Sequence, residues 1–101
     1  MKQILVQPEQ VGGPKKLSQI IREFTFPQIK DAMTDHKGRY CVYGGLMKYF
    51  GWDDVNDSNN LIPYREIMKL CGETTLVNMI NMNNNGSTFN EIADYLESKQ
   101  L

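Results

Sequence analysis

The chain has 101 residues, of which 41% are hydrophobic and 23% are charged, and its formal net charge is −1. This length fits one small domain, and ten aromatic residues with six methionines supply enough apolar volume to exclude global disorder. The balanced charge gives no electrostatic footprint for a nucleic acid, and no apolar run approaches the roughly 20 residues of a membrane span. We therefore expect a non-membrane protein with one domain, residues 1–101.

Residues 1–13 predict an extended or flexible N-terminal segment. Residues 2–7, KQILVQ, contain an apolar run of three residues, and Pro8 and Gly12-Gly13 interrupt any regular structure after it. This run has no evident partner strand, so we expect it to lie along the bundle or to pair with a second copy across a two-fold axis. Pro14 suits the first turn of a helix.

Two helices are predicted next. The first has an apolar stripe at positions i, i+3, i+4 and i+7. The second begins with Thr25 as its cap and Pro27 and Gln28 in its first turn, and it ends at residues 35–38. The stripe of the first helix is Leu17, Ile20, Ile21 and Phe24, and that of the second is Phe26, Ile29, Ala32 and Met33.

A third helix is predicted from about Tyr40 to Phe50, and Gly51 is its stop signal. It contains Gly44 and Gly45, although a glycine inside a helix costs about 1 kcal/mol relative to alanine. We attribute both glycines to the close approach of another helix backbone.

The second half predicts three more helical segments separated by turns. Residues 53–60 and 83–86 are rich in Asp, Asn and Ser or Gly, which favour turns. Between these turns we predict helices over Pro63–Cys71 and Thr75–Met82, with Gly72 past the end of the former.

The last predicted helix begins with a capping box formed by Thr88 and Glu91. The predicted fold class is therefore all-α: a single small bundle of five or six short helices with a short extended N-terminal segment. The apolar stripe of the last helix is Phe89, Ile92, Ala93 and Leu96.

The polar loops suggest a degenerate pair of EF-hands over residues 40–98. In the first loop, Asp54, Asn56 and Ser58 fall at calcium-ligand positions one, three and five, and Glu66 follows as the closing carboxylate at position thirteen instead of twelve. The best metal ligands are thus Asp54, Asn56, Ser58 and Glu66. Ordinary turn chemistry also explains the loop, so calcium binding is an alternative function.

The second loop fits the calcium pattern less well. Asn81, Asn83, Asn85 and Gly86 fall at positions one, three, five and six, but Glu91 is eleventh. Neutral Asn ligands would also weaken calcium binding.

Catalytic chemistry has little support in the sequence. Cys41 and Cys71 are expected to be buried and reduced, which suits a cytoplasmic protein. His36 lies five residues before Cys41, and we expect it to contact the carbonyls at a helix end instead of activating the thiol. No phosphate-binding loop or nucleophile elbow is present. We expect no enzyme, no catalytic residue and no cofactor.

The charge is divided unevenly along the chain. Residues 1–50 carry eight Lys or Arg against four Asp or Glu, whereas residues 51–101 carry three against eight. Attraction between the two halves explains this division, and a basic face for a nucleic acid is the alternative. That face would consist of Lys15, Lys16, Arg22, Lys30, Lys37 and Arg39.

Two motifs resemble those of a group of short helical proteins from prokaryotes, most of them archaeal. The motifs read C-x-x-G-x-L from Cys41 and N-N-x-G-x-T-F-x-E-I-A from Asn83, and Asn84 stands where the group usually has Asp. The resemblance implies a small helical cytosolic domain and no reaction, because function does not follow from fold alone.

We therefore expect a non-enzymatic protein-interaction module whose partner is another protein or a second copy of the chain. Tyr and Trp combine apolar area with a polar tip and are favoured at interfaces. The candidate contact residues are Tyr40, Tyr43, Tyr49, Trp52, Tyr64 and Tyr95.

Overall fold

The computed structural model describes residues 15–55 and 60–101. It contains four helices, α1 (Leu17–Arg22), α2 (Val42–Tyr49), α3 (Leu61–Asn84) and α4 (Phe89–Ser98). Most of the described residues are helical and none of them forms a strand, so the predicted helical fold class is confirmed. The predicted number of five or six helices is wrong. The predicted segment 1–13, together with Pro14, lies outside the described residues.

Helix α1 packs against α4 at the two ends of the described chain. Its predicted stripe is confirmed: Leu17, Ile20 and Ile21 are buried, and Phe24 lies partly buried just beyond the helix. Arg22 reinforces this contact, because its guanidinium donates to Glu97 at 3.0 Å and also to Asp94.

The predicted second helix is wrong, because residues 23–41 form an irregular segment. Its backbone hydrogen bonds join residues 11 and 8 positions apart instead of the four of a helix: the Ile29 amide donates to the Tyr40 carbonyl at 3.1 Å, and the Cys41 amide donates to the Met33 carbonyl at 3.0 Å. A helix over these residues would have to give up these bonds. Tertiary partners have therefore overridden the local helix signals.

Helix α2 contains both predicted glycines, and the structure gives each a steric reason. A Cβ atom on Gly44 would lie 2.1 Å from the Met33 carbonyl oxygen, and one on Gly45 would lie 2.6 Å from the Phe26 ring. The predicted close approach is thus found, but the approaching elements are the irregular segment 23–41 and its rings, not another helix.

Helix α3 joins the two helices predicted over Pro63–Cys71 and Thr75–Met82. Gly72 separates them with the non-helical angles φ 80° and ψ 169°. The predicted interruption at Gly72 is therefore found, as a kink between two helical halves that are counted here as the single element α3.

The predicted capping box of α4 is confirmed. The Glu91 amide donates to the Thr88 hydroxyl at 3.1 Å, and the Thr88 amide donates to the Glu91 carboxylate at 2.8 Å. The stripe residues Ile92, Ala93 and Leu96 are completely buried.

A hydrophobic core connects all four helices. Leu17 from α1, Leu46 from α2, Met79 from α3 and Leu96 from α4 all belong to it. Among residues 15–55 and 60–101, no helix has the length and apolar character needed to cross a membrane.

Candidate protein-interaction site

A cavity of about 330 Å³ opens between α2 and the beginning of α3, and we call it the aromatic pocket. Three of its walls are aromatic side chains, and two more are methionines. Among the described residues, those that line it are Met33, Tyr43, Met47, Trp52, Asn60, Leu61 and Tyr64.

The end of α2 positions the tryptophan of this pocket. The Gly51 amide donates to the Lys48 carbonyl at 3.0 Å, and the Trp52 amide donates to the Met47 carbonyl at 2.9 Å. This is a Schellman motif, which needs a left-handed residue that glycine adopts without strain, and Gly51 has φ 104°. The motif folds Trp52 back onto Met47, so the indole becomes a wall of the pocket.

The lining residues from the described part of the chain are all uncharged. Burial raises the pKa of Tyr43, and the nearby Tyr64 and Cys41 raise it further. Tyr43 therefore stays a neutral phenol at neutral pH. A pocket with these walls favours an apolar guest, because an ion entering it would lose its hydration without gaining an opposite charge.

Several exposed apolar residues lie in or close in the chain to the pocket lining, and we call this set the apolar patch. It contains five of the six large hydrophobic residues that are exposed in the described chain. Each lies within three residues of a pocket-lining residue, so chain connectivity keeps its Cα within about 11 Å of the lining. The patch consists of Tyr49, Val55, Leu61, Ile62 and Tyr64.

The structure brings three of the six predicted contact aromatics together in the pocket, namely Tyr43, Trp52 and Tyr64. The others lie elsewhere. Tyr40 donates to the Asp54 carboxylate at 2.8 Å, and Tyr95 accepts a hydrogen bond from Asn78. Tyr49, which is half exposed, packs its ring edge against Phe50 and belongs to the apolar patch.

Two of the four predicted metal ligands lie in the described chain. Asp54 is buried, and its two carboxylate oxygens accept hydrogen bonds from Tyr40 and Lys48. Glu66 pairs with Lys69 at 3.1 Å, one helical turn away. Asn56 and Ser58 lie outside the described residues. Within the described ranges, no three His, Cys, Asp or Glu side chains are grouped as a metal site requires.

The second predicted loop is shorter than predicted, because the turn begins at Asn85 and includes Gly86 with φ 103°. Asn81 and Asn83 belong to α3, which continues to Asn84. Asn83 is completely buried, and its side-chain oxygen accepts from the Val42 amide at 3.0 Å and from Gln28 at 2.7 Å. Its amide group donates to the Ile29 carbonyl at 2.8 Å. Asn83 therefore connects α3, α2 and the irregular segment, a role that the sequence analysis missed.

The predicted basic face has internal partners. Arg22 pairs with Asp94 and Glu97, Arg39 pairs with Asp35, and Lys15 pairs with Glu23 at 2.6 Å. Half of the six proposed cations are thus bound to carboxylates of the same chain. Lys16, Lys30 and Lys37 complete the predicted set.

The candidate thiols lie in environments that disfavour the thiolate. Burial raises the pKa of Cys41 and of Cys71, and the two residues do not form a disulfide. Cys41 caps α2, and its sulfur accepts from the Gly44 amide at 3.3 Å. His36 is exposed in the irregular segment, so the prediction that it ends a helix is wrong.

Met33 is the pocket residue that sequence reasoning placed incorrectly. The sequence assigned it to the apolar stripe of a helix, but the structure places it in the irregular segment, against both α2 and the pocket. The Cys41 amide donates to the Met33 carbonyl at 3.0 Å, a bond across eight residues that no helix or turn pattern in the sequence predicts.

Comparisons of the chain with protein-family models, with curated proteins and with solved structures found no match.

Proposed function

We propose that the chain is a non-enzymatic protein-interaction module and that the aromatic pocket with the apolar patch is its docking surface. One observation carries this proposal: five of the six exposed large hydrophobic residues of the described chain lie within residues 49–64, next to the pocket. A concentrated apolar surface of this kind marks interaction sites, whereas scattered exposed hydrophobic residues do not.

The side-chain chemistry of the pocket supports a protein partner. Tyr, Trp and Met are enriched in the cores of protein interfaces, where charged residues are depleted. Tyr43, Trp52 and Met47 line the pocket, and its lining residues in the described part of the chain are uncharged. We infer that a partner inserts an apolar side chain there and covers the patch with its neighbouring residues.

A selection from a displayed peptide library tests this proposal. The informative variant is Leu61→Asp, because Leu61 lines the pocket and is 54% exposed, so a charge there blocks docking without disturbing the core. The matched control is Val77→Asp, which lies elsewhere on α3 and is 46% exposed. Selected peptides should bind the wild type and the control equally, and Leu61→Asp should bind them at least about tenfold more weakly.

Trp52 makes the readout specific, because it is the single tryptophan of the chain and lines the pocket. A bound peptide should change its fluorescence. Peptides that bind Leu61→Asp as tightly as the wild type would place the docking surface elsewhere and contradict the proposal.

The same protein can be tested for the two alternative functions. Saturable amide shifts confined to residues 53–66 during a calcium titration would favour a calcium site. Binding to a nucleic acid that weakens steeply with added salt would favour the basic face.

A further inference from the structure

Ile62 is an apolar side chain that stands beside the aromatic pocket. It is 63% exposed and directly follows Leu61, which lines the pocket. Successive side chains on an α-helix diverge by about 100°, so Ile62 points away from the wall that Leu61 forms. The surface therefore carries an apolar projection and an apolar cavity next to each other.

A projection beside a cavity makes a surface complementary to itself. In a two-fold symmetric contact, both copies present the same residues. If the projection of the first copy enters the cavity of the second, the projection of the second therefore enters the cavity of the first. We propose that the aromatic pocket of one copy receives Ile62 of a second copy, and reciprocally, in a symmetric dimer. This inference rests on the proposed function and identifies the partner as a second copy of the chain.

The chemistry of the pocket suits an isoleucine side chain. Its volume of about 330 Å³ lies at the lower end of the range for binding pockets, and it holds one branched aliphatic group with space for its neighbours. The described lining residues are uncharged, so Ile62 would enter without stripping water from an ion. Aromatic rings and methionine side chains adapt well to such a guest.

The exposed area fits a weak dimer. The five side chains of the apolar patch are 37–84% exposed and together present about 500 Å². Two copies would therefore bury about 1,000 Å² in total, the lower limit for a specific interface. We expect a weak, reversible dimer.

Sedimentation velocity of the full chain, with protein concentrations from the low micromolar range to about 1 mM, tests the inference. The average mass of the wild type should rise from 11.6 kDa toward twice that value. Ile62→Asp should remain at 11.6 kDa throughout, because its charge would have to enter the pocket. Val77→Asp should associate as the wild type does. Circular dichroism confirms that each variant keeps its helices.

Trp52 fluorescence supplies a second readout on the same samples. Its emission should change with concentration in the wild type and stay constant in Ile62→Asp, because dimer formation fills the pocket that Trp52 lines. A wild type that stays monomeric at about 1 mM would overturn the inference. Association of Ile62→Asp equal to that of the wild type would also overturn it, because the contact would then lie elsewhere.

This experiment separates the dimer from the proposed function. Peptide binding is compared between the wild type and Leu61→Asp, whereas self-association is compared between the wild type and Ile62→Asp, so each proposal has its own variant and its own readout. A monomeric wild type that binds peptides through the pocket would refute the dimer and leave the proposed function standing. A wild type that stays monomeric and binds no peptide through the pocket would refute both the dimer and the proposed function.

Discussion

Asn83 shows how one polar side chain organises the centre of the molecule. It is completely buried, so a donor or acceptor on its side chain that lacked a partner would lower the free energy of unfolding. Its side chain bonds to the Val42 amide at the beginning of α2 and to the Ile29 carbonyl in the irregular segment. Both partners are backbone groups more than 40 residues away in the chain. Asn83 thus fixes the position of a segment that has no helix of its own.

We predict that Asn83→Ala lowers the free energy of unfolding by about 3 kcal/mol, because the buried Val42 amide and the partly buried Ile29 carbonyl both lose their partner. Urea unfolding followed by circular dichroism measures the change. Asn81→Ala is the matched control, since Asn81 is exposed on the same helix and should change stability by less than about 0.5 kcal/mol. Equal stability of the two variants would contradict the role assigned to Asn83.

At the scale of an element, Gly72 controls the direction of α3. Its angles, φ 80° and ψ 169°, lie in a region that is essentially restricted to glycine. The space around it is open, since a Cβ atom placed there would meet nothing within 4 Å. Any cost of substitution therefore comes from backbone strain and not from a steric clash.

We predict that Gly72→Ala lowers the free energy of unfolding by about 1–3 kcal/mol. Helix propensity alone predicts the opposite sign, with a gain of about 1 kcal/mol from replacing a helical glycine. Glu73→Ala is the control, because Glu73 is the exposed neighbour. A stabilised Gly72→Ala variant would show that α3 can be straight and that the kink is not required by the packing of its two halves.

At the scale of the whole molecule, ion pairs make the free energy of unfolding depend on pH. Arg39 lowers the pKa of Asp35 to about 2, and Arg22 lowers the pKa of Glu97. The Tyr40 hydroxyl, together with Lys48, lowers the pKa of Asp54 below its usual value of 3.8. Each carboxylate therefore binds a proton more weakly in the folded chain than in the unfolded chain, so protonation favours unfolding.

We predict that Asp54→Asn lowers the free energy of unfolding by about 1–2 kcal/mol at pH 6, because the charged oxygen partners of Tyr40 and Lys48 are lost. The contribution of Asp54 is complete above pH 3.8 and disappears as the pH falls through its lower folded pKa. The difference between variant and wild type should thus be smaller at pH 2 than at pH 6. Urea unfolding of the variant and the wild type at pH 6 and at pH 2 measures this difference.

Glu73→Gln is the control for the pH experiment, because Glu73 is exposed on α3. It should follow the wild type at both pH values. A difference between Asp54→Asn and the wild type that stays constant from pH 6 to pH 2 would mean that the carboxylate charge does not contribute.

The sequence by itself determined the features that depend on residues within a few positions of each other. The stripe of α1, the capping box formed by Thr88 and Glu91, and the stop signals at Gly51 and Gly72 were all predicted from local patterns. Each is a property of one or two helical turns, where neighbouring side chains and backbone groups supply the partners. It also placed Tyr43, Trp52 and Tyr64 among the candidate contact residues.

Only the tertiary structure decided what depends on distant partners. Thr25, Pro27 and Gln28 begin a convincing helix signal, yet the backbone that follows bonds to Tyr40, Cys41 and Asn83. The bond between the Cys41 amide and the Met33 carbonyl holds Met33 beside the pocket. The bonds of Asn83 to Val42 and Ile29 hold this asparagine in the interior, although the sequence predicted it in a turn. Local propensities amount to less than about 1 kcal/mol per residue, whereas a buried backbone group without a partner costs about 1–3 kcal/mol. The larger free-energy cost, that of an unpaired buried backbone group, therefore decides the conformation of the irregular segment.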